Sequence, residues 1–264
     1  MYQSSKFKRV VLSFTVVAGL FASCDKKDNV IEEPPVQSTV FSVAGDSASI
    51  VSKLVDFRNV IGATLNAAPG AVGGRREVNW DAVPVSFTNS NNFPFDFFGS
   101  SDPALANGRK RGLIMTNTGT SFRVDSTDFS DIDASYASQF EVFSKKRLFT
   151  YLGNIITEVT FKVPGTNTDA FVNGFGVIFS DVDVANTTTV QYYNGSKSLG
   201  TYKATPAPQG FSLVAVHFPT EKVTRITITS GNGLLATGTK DITNGGTKDL
   251  VVMDDFLYSE PKAQ

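Results

Sequence analysis

From Glu77 onward, apolar and polar residues alternate in short runs, the two-residue period of strands that bury one face. In "NIITEVTFKVPG", Thr157, Val159, Phe161 and Val163 share one face, while Glu158, Thr160 and Lys162 share the other. "FVNGFGVIFSDVD" sets Phe175, Val177 and Phe179 on one side. In "TTVQYYNGSKSLGTYK", Asn194-Gly195 separates two strand-like runs and predicts a hairpin. "FSLVAVHFP", "KVTRITITSGNG" and "DLVVMDDFLYSEP" extend the series, each bounded by Gly, Pro or Asn turns. Strands at this spacing predict a sandwich or barrel instead of βαβ units. The expected fold is all-β, a jelly-roll-like β-sandwich. Its buried positions should include Ile50, Leu54, Val159, Phe161, Val177, Phe179, Ile226, Ile228 and Phe256.

One stretch keeps a different period. In "DSASIVSKLVDFRNVIG", Ile50, Leu54, Phe57 and Ile61 recur at helical spacing and form one apolar stripe. Asp46 or Ser47 can cap the start and Gly62 can end it, which predicts an amphipathic helix near residues 47–61. Its expected role is to cover an end or edge of a sheet.

The head of the chain has neither period. Lys6, Lys8 and Arg9 precede a nearly unbroken apolar run from Val10 to Phe21. That run is shorter than the about 20 residues of a membrane span and has the length of a leader's apolar core. Cys24, the single cysteine, follows directly. Phe21-Ala22-Ser23-Cys24 resembles the lipobox of bacterial lipoproteins, with Phe21 where a leucine-like residue is usual. The resemblance implies that residues 1–23 are removed and that Cys24 carries the lipid. Residues 24–36, with Asp25, Lys26, Lys27, Asp28 and Glu32-Glu33-Pro34-Pro35, bury too little to fold and should form a tether. Residues 37–264 are then a single β-sandwich domain. The expected location is the cell envelope, lipid-anchored, at the outer membrane and displayed on the surface.

Composition agrees with strands and turns, at 22 Phe and 22 Gly in 264 residues, and offers no disulfide. Three of the 24 basic residues lie in the leader, so a processed chain sets 21 basic against 25 acidic residues. No basic field exists to hold nucleic acid. Two resemblances follow from longer stretches. "DFRNVIG", "GRREVNWD", "FEVFSKKRLFTYLG", "FKVPGT", "GFGVIFSDVDV" and "VVMDDFLYSEP" resemble an uncharacterised family of exported bacterial proteins. "VVMDDFLY" looks like the last strand of lectin-like and carbohydrate-binding jelly rolls.

Chemistry is narrowed by what is scarce. His217 is the one histidine and shares a face with Phe211, Leu213 and Ala215, as a structural residue does. With Cys24 acylated, neither a His/Cys zinc site nor a thiol nucleophile can form. "GLLATGTK" places Lys after Thr and precedes no helix, so it is a loop and not a phosphate cradle. Carboxylates remain: Asp181 with Asp183, Asp254 with Asp255, and the string Asp125, Asp128, Asp131, Asp133. A glycosidase needs two at about 5–9 Å, but aspartates at strand ends are more often turn formers or calcium ligands. The expected function is therefore non-catalytic binding, of a glycan first. Trp80, Tyr192, Tyr193, Phe97 and Phe98 are the candidate ligand-binding aromatics. The alternatives are a structural or adhesive module, and after it a carboxylate-based glycoside hydrolase.

Asp254 and Asp255 pose a separate problem, because strand alternation places both among apolar neighbours. A buried carboxylate needs a partner. Arg75, Arg76 or Arg225, a backbone amide cluster, or a hard cation could serve. The jelly-roll resemblance implies a structural calcium ion held by Asp254 and Asp255 with Glu77 or Asp81.

Overall fold

A computed structural model describes residues 35–116 and 121–264, together with Met1. The leader, Cys24 and the tether as far as Pro34 lie outside the described residues. Val36–Gln264 forms one compact unit.

The chain begins with two short strands, β1 (Thr39–Val40) and β2 (Val43–Gly45), and the helix α1 (Ser47–Ile61). Strands β3 (Arg75–Val78), β4 (Leu113–Thr116), β5 (Phe122–Asp125) and β6 (Leu148–Tyr151) follow, separated by long irregular segments. Then come β7 (Ile156–Lys162), β8 (Asp169–Phe171), β9 (Gly174–Val182), β10 (Thr189–Asn194) and β11 (Lys197–Lys203). The last are β12 (Ala207–His217), β13 (Arg225–Thr229), β14 (Val252–Ser259) and β15 (Lys262–Ala263).

These strands make two curled antiparallel sheets, a jelly-roll-like sandwich. One sheet has the order β1-β12-β9-β14-β6-β5, with β2 also on β12 and β3 on β14. The other runs β11-β10-β13-β7-β8-β15, with β4 on β7. The core between them is where the alternating faces meet. Phe175, Val177 and Phe179 of β9 and Phe256 of β14 pack with Val159 and Phe161 of β7 and Ile226 and Ile228 of β13. Every position expected to be buried is buried.

Helix α1 covers the outer face of the first sheet. Ile50, Leu54, Phe57 and Ile61 join Ile178, Leu213, Ala215 and Leu257 in a second cluster. Asp46 caps the helix by accepting from the Ser49 amide at 2.9 Å. Gly62 ends it at φ 135°, where a Cβ would stand 2.5 Å from the Gly74 backbone. The helix over Ile178 and Leu257, with Phe129, Tyr136 and Phe140 over Val252, leaves β9 and β14 buried on both sides. The β10–β11 hairpin forms one residue later than the Asn194-Gly195 signal implies: Asn194 pairs with Lys197, so Gly195 and Ser196 make the turn.

Candidate functional site

The candidate aromatics separate into those inside the core and those beside a pocket. Tyr192 lies in the core and its hydroxyl donates to the Phe175 carbonyl at 2.9 Å. Burial, then the neighbouring Tyr202, raises that hydroxyl well above the usual tyrosine range. Tyr193 points outward, but the Arg225 guanidinium lies over its ring at 3.7 Å. Trp80 is 1% exposed, stacks on Phe149 at 4.2 Å, and donates its indole N–H to the Asp254 carbonyl at 2.7 Å. Phe97 and Phe98 pack against each other and against Phe93, and the Arg109 guanidinium covers the Phe97 ring at 3.7 Å. The expected aromatic platform is therefore not open to solvent. In the loop Asn91–Asp102, Phe95 is the phenylalanine left exposed.

Three of the same rings nevertheless meet at one place. The end of β3 and the segment after it supply Glu77, Asn79, Trp80, Ala82 and Pro84 to a pocket of about 160 Å³. Phe97, Phe98, Ala106, Arg109 and Arg111 close its other side. The two sides are tied together: Arg111 donates to the Glu77 carbonyl at 2.7 Å, and its own amide donates to the Phe98 carbonyl, also at 2.7 Å. Arg109 Nε donates to the Phe97 carbonyl at 2.8 Å, which fixes the guanidinium over the ring. The walls are mostly apolar, with basic groups at the rim. Asn79 forms no side-chain hydrogen bond among the described residues, so its amide is free for a ligand. Sequence reading named Trp80, Phe97 and Phe98 but missed Asn79, Arg109 and Arg111, because these lie in segments without a period.

The four expected calcium ligands are not brought together as a set. Glu77 is taken by Arg58, with two bonds at 2.8 Å, and by Arg75 Nε at 2.6 Å. Burial pushes the Glu77 carboxyl up, but the hydrogen bonds and charges of the two arginines outweigh it and hold it below its usual range. Asp81 accepts from the Lys146 amide at 3.1 Å. Asp254 and Asp255 sit at a bulge, where three steps on β14 from Met253 to Phe256 oppose two on β9. The bulge resolves the alternation problem. Asp254 accepts from the Phe143 amide at 2.7 Å, and from the amide and hydroxyl of Ser144 at 3.3 and 3.1 Å. Asp255 accepts from the same Ser144 hydroxyl at 2.5 Å. Partners therefore come from the loop before β6, through backbone amides and one hydroxyl. Burial, then the adjacent Asp255 carboxyl, raises Asp254, and burial raises Asp255.

Another carboxylate group does converge. Among the described residues, Asp181, Asp183 and Asp241 place ligand oxygens within 4.8 Å of one another. Asp181 accepts from the Gln209 amide at 2.8 Å and the Gln139 side chain at 2.9 Å. Asp241 caps the 3-10 turn Ile242–Asn244 and accepts from Leu250 N at 2.8 Å. Burial, more than the charges of Asp241 and Asp249, raises Asp181 to about 6. Burial also raises Asp183, as does its contact with the Asp241 carboxyl. Three members of the Asp125 to Asp133 string serve structure: Arg123 pairs with Asp125 and Asp131, and Asp133 caps the 3-10 turn Ala134–Ser138.

His217 ends β12 beside an open cleft of about 500 Å³, shared with Asn173, Glu260 and Lys262. Burial lowers its imidazole below the usual range.

Fold and pocket together define a class, a jelly-roll-like β-sandwich with a helix on one face and a small pocket lined partly by aromatic residues. No family model matches the chain, and no curated protein or solved structure matches it.

Proposed function

We propose that the chain is a lipid-anchored binding module of the cell envelope, and that the pocket between Asn79 and Arg109 receives the end of a glycan. The observation that carries this reading is the pocket itself, where the unused amide of Asn79 and the guanidinium groups of Arg109 and Arg111 lie on a mostly apolar lining backed by Trp80, Phe97 and Phe98. Sugar sites combine apolar ring contacts with a few polar groups that fix orientation. At about 160 Å³ the pocket is smaller than the roughly 300–1,000 Å³ of drug-sized sites, so it suits one ring or a chain end. The charged groups at the rim are arginines, and the Glu77 charge is already taken by Arg58 and Arg75. An acidic sugar therefore fits better than a neutral one.

The carboxylate pairs that a glycosidase would use lend that alternative no support. Asp254 with Asp255, and Asp181 in the other pair, are buried and bound to protein donors. The adhesive alternative needs an exposed apolar patch or a free strand edge, and at one edge β11 carries Lys197 and Lys203, which discourage pairing there.

The purified full chain in detergent, applied to an array of acidic and neutral oligosaccharides and then titrated calorimetrically, tests the reading. Binding of acidic ends is expected, weakened about tenfold (roughly 1.4 kcal/mol) in Asn79→Ala. Asn79 makes no internal side-chain bond, so this variant should unfold like the parent. Binding unaffected by Asn79→Ala would move the ligand elsewhere, and no binding on the array would remove the glycan reading.

A further inference from the structure

We infer that Asp181, Asp183 and Asp241 form a binding site for a hard divalent cation, and that the cation is calcium. The site is distinct from the aromatic pocket and from the Asp254–Asp255 pair. Three separate segments build it: the end of β9, the turn that Asp241 caps, and Asp249 just ahead of β14.

The side chains around the site are held in place by donors on their outer sides. Gln209 N and Gln139 Nε2 orient Asp181. Thr243, through its amide and hydroxyl, and Leu250 N orient Asp241. Asp249 accepts from Asp183 N at 2.9 Å and from the Thr187 hydroxyl, and so fixes the backbone that carries Asp183. Donors of this kind on liganding carboxylates set their direction and leave the remaining lone pairs for an ion.

Asp183 itself is the second observation. Both of its carboxylate oxygens are sealed from solvent, and neither receives a hydrogen bond. They face the carboxyls of Asp181 and Asp241. No lysine or arginine among the described residues forms an ion pair with any of these aspartates. Lys240 and Lys248, adjacent in sequence, are exposed. A buried carboxylate without a donor or counter-charge is among the costliest groups a fold can hold. A cation between the three removes that cost.

Coordination chemistry favours calcium over magnesium. Calcium binds oxygen at about 2.3–2.6 Å, so one ion spans oxygens as far apart as about 4.6–5.2 Å. Magnesium, at about 2.0–2.1 Å, reaches only about 4.2 Å and demands a near-ideal octahedron. The three oxygens lie within 4.8 Å of one another, a span calcium accommodates without demanding a regular octahedron. The absence of nitrogen or sulfur ligands from the group excludes a soft-metal preference.

The full chain in detergent, stripped with EDTA and dialysed, should bind one calcium per chain by calorimetry, with magnesium bound at least tenfold more weakly. Its melting temperature should rise with added calcium. Asp183→Asn should lower calcium affinity at least tenfold, and its metal-free melting temperature should equal or exceed that of the stripped parent. Asp181→Asn, which keeps the Oδ1 that accepts from Gln209 N, should lose calcium in the same way, in case Asp183→Asn folds poorly. No calcium uptake by the stripped parent, with an unchanged melting temperature, would mean that Asp183 and Asp241 share a proton and would overturn the inference. Undiminished calcium binding in both variants would overturn it too.

Discussion

At the scale of single residues, the most exacting contact is the Arg76–Glu260 pair, because neither charge has access to water. Their side chains are 0% and 2% exposed. Arg76 Nε and Nη2 reach the two carboxylate oxygens at 2.8 and 2.7 Å, and Asn66 donates to Glu260 at 2.8 Å. The pair joins β3 to the residue just beyond β14, two elements 184 positions apart in sequence. Attraction between buried charges roughly cancels their desolvation, so the intact pair adds little net stability, whereas half of it is costly. Glu260→Ala should therefore lower unfolding stability by about 3–5 kcal/mol in urea titrations. Replacing both partners together, Arg76→Met with Glu260→Leu, should recover most of that loss. A loss below about 1 kcal/mol in the single variant would place the pair with ordinary surface bridges.

At the scale of elements, the closest fit is between α1 and the sheet beneath it. Gly174 and Gly176 of β9 lie under the helix, and a Cβ on Gly176 would stand 2.6 Å from Ala215 Cβ and 3.1 Å from Phe57 Cε1. Gly176→Ala should overpack this layer and cost about 1–3 kcal/mol in thermal or chemical unfolding. Ala215→Gly on the neighbouring strand should restore part of it, since Ala215 Cβ is the nearer obstacle. A neutral Gly176→Ala would mean that the helix is free to shift outward. The helix itself was legible in the sequence, because its stripe, its Asp46 cap and its Gly62 stop are all local signals. The double burial of β9 was not. Phe175, Val177 and Phe179 announce one face by alternation, but Ile178 on the other side is buried only because a distant helix lies over it. The bulge at Asp254 and Asp255 was equally hidden, since it depends on the register of β14 against β9.

At the scale of the whole molecule, legibility follows the range of the interaction. Two-residue periods made the sandwich readable, since each strand carries its own record of which face is buried. The pocket lies between segments that have no period, so Trp80, Phe97 and Phe98 could be named singly while their meeting with Asn79 and Arg109 could not. The aspartate cluster adds a separation in sequence, since Asp241 joins Asp181 and Asp183 across β10 to β13. The proposed attachment to a membrane is the reading written most locally, in Phe21-Ala22-Ser23-Cys24 and the basic and apolar residues before it. Among the described residues, no helix is long and apolar enough to cross a membrane. Each buried methylene of an acyl chain contributes roughly 0.8 kcal/mol, and two or three chains hold a protein stably where one does not. Cys24→Ala should therefore shift the protein from the membrane fraction to the soluble fraction after cell lysis, with folding unchanged by circular dichroism. The parent should incorporate labelled palmitate and the variant should not. A parent that takes up no label, or a variant that stays with the membrane, would mean that Cys24 is not the anchor.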